Sequence, residues 1–152
     1  MKKSVPNTPK KPLKVFSDFE LSAMRERGSE LRAEAKAKKD KTAGEQLALA
    51  AIAKMPEPDR SIAKRVHTII TSTAPSLWPK TWYGMPAYAD KDGKVVCFFQ
   101  NASKFKYRYS TLGFQDAAKL DDGNVWPVAY ALKKLTSADE KKIIALVKQA
   151  VN

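Results

Sequence analysis

Residues 81–113, TWYGMPAYADKDGKVVCFFQNASKFKYRYSTLG, decide the fold of this chain. From Thr81 onward the apolar residues recur with a period of two, which is the period of a β-strand. Val95, Cys97 and Phe99 alternate with Val96 and Phe98. The segment from 90 to 93, Asp-Lys-Asp-Gly, has the composition of a hairpin turn. The stretch therefore predicts an antiparallel meander as the central sheet of the domain.

Two further strands are predicted after this hairpin. In residues 104–110 rings and cations alternate, so this segment is expected to form the next strand. One of its faces would carry Phe105, Tyr107 and Tyr109, and the other Lys104, Lys106 and Arg108. Trp126 to Lys134 is expected to be a last strand.

Helices are predicted before the sheet. Ser17 and Glu20 have the spacing of a capping box, which predicts a helix that continues to about Lys39, and Gly44 is expected to break it. Its apolar residues are sparse, so it should pack only lightly on the body. A second, alanine-rich helix is predicted over 45–55.

Two more helices complete the pattern. Pro58 suits the first turn of a helix that runs to about Thr73, with a buried stripe at helical spacing. Thr136 or Ser137 would cap a C-terminal helix. Helices, then strands, then a helix predict an α+β fold: an antiparallel sheet of about four to five strands flanked by helices, with an N-terminal helical extension.

Length and composition are those of one globular domain. The chain has 152 residues, 43% of them hydrophobic, and a formal net charge of +12. We predict a flexible basic arm at 1–15, the helical extension at 16–44 and the α+β domain at 45–152. The longest apolar run, residues 47–53, is too short to span a bilayer, and no secretory signal follows Met1, so a cytoplasmic location without membrane contact is expected.

Residues for catalysis are scarce. One cysteine and one histidine cannot build a four-ligand zinc site, and no phosphate-cradling glycine loop or nucleophile elbow is present. A dyad of Cys97 and His67 is formally possible, but Cys97 lies in mid-strand, where cysteine usually packs as a small apolar residue. His67 lies beside the stripe of its helix and is expected to be structural. The sequence thus predicts a protein that is not an enzyme and needs no cofactor.

The aromatic stretch is the better candidate for a site. Trp82 and Tyr83 precede a glycine and a proline, and such rings can bury an apolar body while presenting an N–H or O–H to a ligand. We predict a small anionic or aromatic ligand against Trp82, Tyr83 and Met85, with Lys104 or Arg108 neutralising its charge. The alternative is that these rings are sheet core and the cations its solvated face.

The same residues carry a resemblance to a known family. The pattern TWYGMPAYA, KDGKVVCFFQ, KFKYRYSTLGF and LDDG with WP resembles the bacterial YdhG-like proteins of the DUF1801 domain class, over about residues 45–152. The segment from 16 to 36 is similar to the N-terminal extension of one branch of that class. The resemblance implies a compact α+β fold with an antiparallel sheet flanked by helices.

The resemblance also implies one possible activity. Some members of the class are described as frataxin-like intracellular iron chaperones. Iron binding on a surface needs clustered carboxylates, and the candidates in this chain are Asp116, Asp121 and Asp122.

The positive charge supports another hypothesis, namely binding of nucleic acid through the basic arm and surface. Tyr107, Tyr109 or Trp82 would then provide stacking platforms for bases. The sequence leaves the ligand and the oligomeric state open.

Overall fold

The computed structural model of this protein describes residues 17–37 and 39–152. Within these ranges three helices precede the strands and one helix follows them, as predicted, and a short helix that was not predicted lies between the third and fourth strands. The helices are α1 (Asp18–Ala37), α2 (Lys41–Ala53), α3 (Asp59–Thr73), α4 (Ala102–Phe105) and α5 (Ser137–Val151). The strands are β1 (Trp78–Trp82), β2 (Met85–Ala89), β3 (Val95–Gln100), β4 (Ser110–Phe114) and β5 (Ala129–Leu132).

The strands form one antiparallel meander with the order β1-β2-β3-β4-β5. The predicted hairpin lies between β2 and β3. There the Asp90 carboxylate accepts hydrogen bonds from the backbone N–H groups of Asp92 and Lys94, at 2.9 and 3.0 Å, and Gly93 has a φ of +79°. The α+β class and the antiparallel sheet are therefore confirmed.

One face of the sheet, the inner face, packs against helices. Tyr88, Cys97, Phe99 and Leu112 belong to the same buried cluster as residues of α2, α3 and α5. The stripe predicted for α3 is part of it, since Ile62, Val66, Ile69 and Ile70 are all buried. Burial of this face removes most of the apolar side chains of the sheet from water, which is the main favourable term in folding.

The opposite face of the sheet, the outer face, is defined by the strand register. Direct cross-strand partners share a face, and the register gives an unbroken row across all five strands. This row is Lys80, Ala87, Phe98, Gly113 and Ala129. The adjacent positions of the same face are Trp82, Met85, Gln100, Thr111 and Ala131. Met85 and Ala87 are buried on this face, and neither belongs to the buried cluster to which α2, α3 and α5 contribute.

The strand predicted over residues 104–110 is wrong in position. Ala102–Phe105 is the short helix α4, Lys106 turns the chain with a φ of +57°, and β4 begins only at Ser110. Contacts distant in sequence hold this turn. The backbone N–H and the hydroxyl of Ser103 both donate to the buried Asp59 carboxylate, at 3.0 and 2.6 Å. The alternating rings and cations therefore do not form two faces of a strand.

Helix boundaries also differ from the prediction near Gly44. This glycine lies inside α2 and does not break a helix. The helix begins earlier because Asp40 is its N-cap, with a side chain that accepts a hydrogen bond from Thr42 N at 3.0 Å. The caps predicted at Ser17 and Thr136 are confirmed, the latter as a complete capping box with Asp139.

The predicted basic arm at 1–15 lies outside the described residues. In the part of the chain that the structure describes, no helix has both the length and the apolar character needed to cross a membrane.

Gly113→Ala should destabilise the fold by about 1–3 kcal/mol, as overpacking does. A methyl group at this position would overlap the Phe98 ring on the neighbouring strand. Urea denaturation measures the loss, and Gly28→Ala, on a helix where a Cβ would make only an ordinary contact with the end of the Arg32 side chain, is the matched control.

Combining Gly113→Ala with Phe98→Leu should cost less than the sum of the two single losses, because the shorter side chain yields space to the methyl group. Strictly additive losses would contradict the proposed overlap.

Candidate functional site

Aromatic rings lie in contact along the outer face. The Trp82 ring meets the Phe98 ring edge-on at a centroid distance of 5.3 Å, and the Tyr83 ring at 5.2 Å. Trp82 and Phe98 are half-buried, so each keeps part of its ring surface accessible. The Phe98 ring lies over Gly113, where any side chain would displace it. The result is an aromatic surface beside small residues.

The turn between β1 and β2 links this surface to α1. Tyr83 and Gly84 both have positive φ, +51° and +75°, which lets two residues reverse the chain. The Gly84 N–H donates to Glu30 Oε1 at 3.0 Å, and the Arg27 guanidinium lies 4.8 Å from the Tyr83 ring centroid. Tyr83 itself is 57% exposed.

Lys104 approaches the same turn from α4. Its ammonium lies 3.5 Å from the Tyr83 carbonyl oxygen and 5.7 Å from the Phe105 ring centroid. A Cβ on residue 84 would displace this ammonium, which is the end of a flexible side chain, so it is the positive φ that requires a glycine at position 84.

The structure brings together some of the residues predicted as the site. Trp82, Tyr83 and Lys104 are neighbours. Met85 lies opposite Trp82 in the register but is only 7% exposed, so it offers a ligand little surface. Arg108 lies 5.2 Å from the Tyr109 ring, which stacks on Tyr107. Within the described residues, no contact joins Arg108 to the Trp82 cluster.

Sequence reasoning missed several outer-face residues. These are Lys80, Phe98 and Gly113, together with Arg27 of α1. The alternation in β3 already separates Phe98 from Cys97 and Phe99, so a second aromatic face could have been inferred. Its position over Gly113 could not, because it depends on the register between β3 and β4.

The candidate dyad of Cys97 and His67 has no catalytic geometry. His67 Nδ1 lies 2.8 Å from the Tyr88 hydroxyl, and His67 Nε2 lies 3.3 Å from Glu45 Oε1, so both ring nitrogens have partners. Burial raises the pKa of the Cys97 thiol to about 12. Burial likewise raises the pKa of the Tyr88 phenol, with smaller contributions from Cys97 and Glu45. A thiol with so high a pKa is not a nucleophile near neutral pH.

The predicted metal candidates do not assemble. Over residues 17–37 and 39–152, no group of three or more histidine, cysteine, aspartate or glutamate side chains is placed to hold a metal ion. Asp116, Asp121 and Asp122 are exposed loop residues.

Comparison of the chain with protein-family models, with curated proteins and with solved structures gave no match. The resemblance to YdhG-like proteins therefore stays a prediction.

Cys97 should be almost inert toward Ellman's reagent in the folded protein. With a pKa of about 12, only about one thiol in 10⁴ is ionised at pH 8, against roughly a quarter of unfolded thiols. We expect a reaction at least about 100-fold slower in buffer than in denaturant. Ser72→Cys, on the exposed side of α3, is the control and should add one fast thiol. A fast native reaction of Cys97 would contradict its burial.

Stability should fall at alkaline pH. The folded-state pKa values of Cys97 and Tyr88 are raised. The contribution of Cys97 is complete below the unfolded thiol pKa of about 8.5 and is lost as pH rises toward 12. The contribution of Tyr88 begins to be lost only above the unfolded phenol pKa of about 10. Between about pH 9 and 11 the thiol alone should lower the free energy of unfolding by about 1.4 kcal/mol per pH unit. Denaturation of Cys97→Ala should show a slope smaller by that amount, and an unchanged slope would exclude the thiol as its source.

Proposed function

We propose that this protein is a non-enzymatic binding module whose outer sheet face holds a small, planar, anionic ligand against Phe98 and Trp82. One observation carries this proposal: the helix-packed core covers the inner face of the sheet, while half-buried aromatic rings lie on the outer face. Apolar rings in such a position offer contact area that a ligand can bury.

Small residues beside the rings favour a flat ligand. Gly113, Ala129 and Ala131 have no side chain beyond Cβ, and both alanines are exposed. They follow Phe98 across β4 and β5, so the ring stands higher than the sheet surface next to it. Because the Phe98 ring itself covers Gly113, a planar molecule can lie over the exposed Ala129 and Ala131 with its edge or face toward that ring.

Charge favours an anion. Of the outer-face residues in the described sheet, only Lys80 is charged, and no carboxylate lies among them. Lys104 adds a second ammonium at the β1–β2 turn, next to Tyr83. The net charge of +12 adds a positive potential over the whole surface.

The family assignment is retained as part of this proposal. A YdhG-like protein of the DUF1801 class is expected to have an α+β fold with an antiparallel sheet, and this chain has one. The iron-chaperone activity implied by the same resemblance has no supporting ligand cluster among the described residues.

The test uses a fluorescent planar anion, flavin mononucleotide, with riboflavin as its uncharged counterpart and inorganic phosphate as the charge without the ring. Flavin mononucleotide should bind with a rise in fluorescence anisotropy, about fivefold or more tightly than riboflavin. Ala131→Trp should block binding by filling the exposed surface next to Phe98. Lys80→Gln should remove most of the preference for the phosphorylated flavin.

Ala138→Trp, at an exposed position of α5, is the matched control and should bind like the wild type. Absence of flavin binding, or equal loss in both tryptophan variants, would overturn the site. An oligonucleotide such as dT16 that binds more tightly than the flavin and is lost in Ala131→Trp would assign the face to single-stranded nucleic acid instead.

A further inference from the structure

A cleft of about 730 Å³ lies between α1, α2, the β1–β2 turn and α4, separate from the rings of the outer face. Its volume lies within the range of small-molecule sites. Thr81 lines it, and in β1 this residue points to the side opposite Trp82. The cleft is therefore separate from the surface to which the proposed outer-face ligand would bind.

The walls of the cleft carry opposite charges. Glu26 and Glu30, four residues apart on α1, form one wall. Lys54, at the C-terminal end of α2, and Lys104 of α4 also line it. The carboxylates would repel a simple anion, and the ammonium groups would repel a simple cation. Neither kind of ligand therefore matches the charges of the whole cleft.

Two of these charges are open to a ligand. Glu30 is already engaged, since it accepts from Gly84 N at 3.0 Å and lies 3.3 Å from Arg27. Glu26 and Lys54, in contrast, form no ion pair with any described residue, and both are exposed at the cleft. One carboxylate and one ammonium therefore remain for recognition.

The rest of the lining is suited to the body of a small molecule. Leu47, Ala50 and Ala51 of α2, with Met55 just beyond its end, form an apolar surface there. Asn101 adds a polar group: it is only 5% exposed yet lines the cleft, and its amide makes a long hydrogen bond of 3.4 Å to the Ser103 hydroxyl. A buried amide of this kind can exchange that weak bond for one to a ligand.

We infer that this cleft binds a small zwitterion with an apolar body, the chemistry of a short peptide with free termini. The ligand ammonium would pair with Glu26 and its carboxylate with Lys54, while the body lies on the alanines of α2. Each contact is an ion pair made by an exposed side chain, so the loss of either ligand charge should weaken binding by about 0.2–1 kcal/mol.

The experiment titrates the full chain with the tripeptide Ala-Leu-Ala, its N-acetyl form and its C-terminal amide, followed by amide NMR shifts. The free peptide should bind, and each blocked form should bind about two- to fivefold more weakly. Glu26→Gln should remove the penalty of N-acetylation and leave that of amidation. Lys54→Gln should do the reverse.

Lys148→Gln, at an exposed position of α5, is the control and should preserve both penalties. No binding of the free peptide at about 10 mM, equal binding of all three forms, or shifts outside the cleft would overturn the inference. Ala131→Trp should leave peptide binding intact, so failure of the outer-face proposal would not be mistaken for failure of this one.

Discussion

The structure depends on one constraint among the described residues: β3 is apolar on both faces, and the buried cluster that it shares with α2, α3 and α5 lies on one side of the sheet. Cys97 and Phe99 enter the core under α2, α3 and α5, and Phe98 is left on the outer face. Its ring is accommodated by Gly113 on the next strand and by edge contact with Trp82. Apolar area that folding does not bury is the area against which the proposed ligand would lie.

The β1–β2 turn borders both the aromatic surface of the outer face and the charged cleft. Positive φ values at Tyr83 and Gly84 direct the Tyr83 ring toward Arg27 and the Gly84 N–H toward Glu30, which holds α1 against the turn. Lys104 approaches the same two residues from α4. A change in the turn would therefore alter both the aromatic surface and the charged cleft, although the two are formed by opposite sides of β1.

The buried polar groups are structural. His67, Tyr88 and Glu45 satisfy one another between helix and sheet, which avoids the penalty of an unpaired buried donor or acceptor. Asp59 likewise accepts from Ser103 and so positions α4 at the edge of the cleft. These interactions fix the geometry of the surface sites without contributing a nucleophile or a base of their own.

The sequence by itself determined the elements with strong local signals: the period of two in β3, the hairpin at Asp90, the stripe of α3 and the cap at Thr136. Local chemistry dictates each of these, because a repeat, a turn residue or a cap acts within a few positions. Sequence reasoning wrongly placed a strand at 104–110. The hydrogen bonds that hold Ser103 in place are accepted by Asp59 of α3, a helix that is distant in the chain. Only the tertiary structure decided that Phe98 lies over Gly113, that Arg108 stands apart from Trp82 and that Glu26 shares a cleft with Lys54. Strand register and helix packing set these neighbours, and a register is a property of two segments that neither encodes alone.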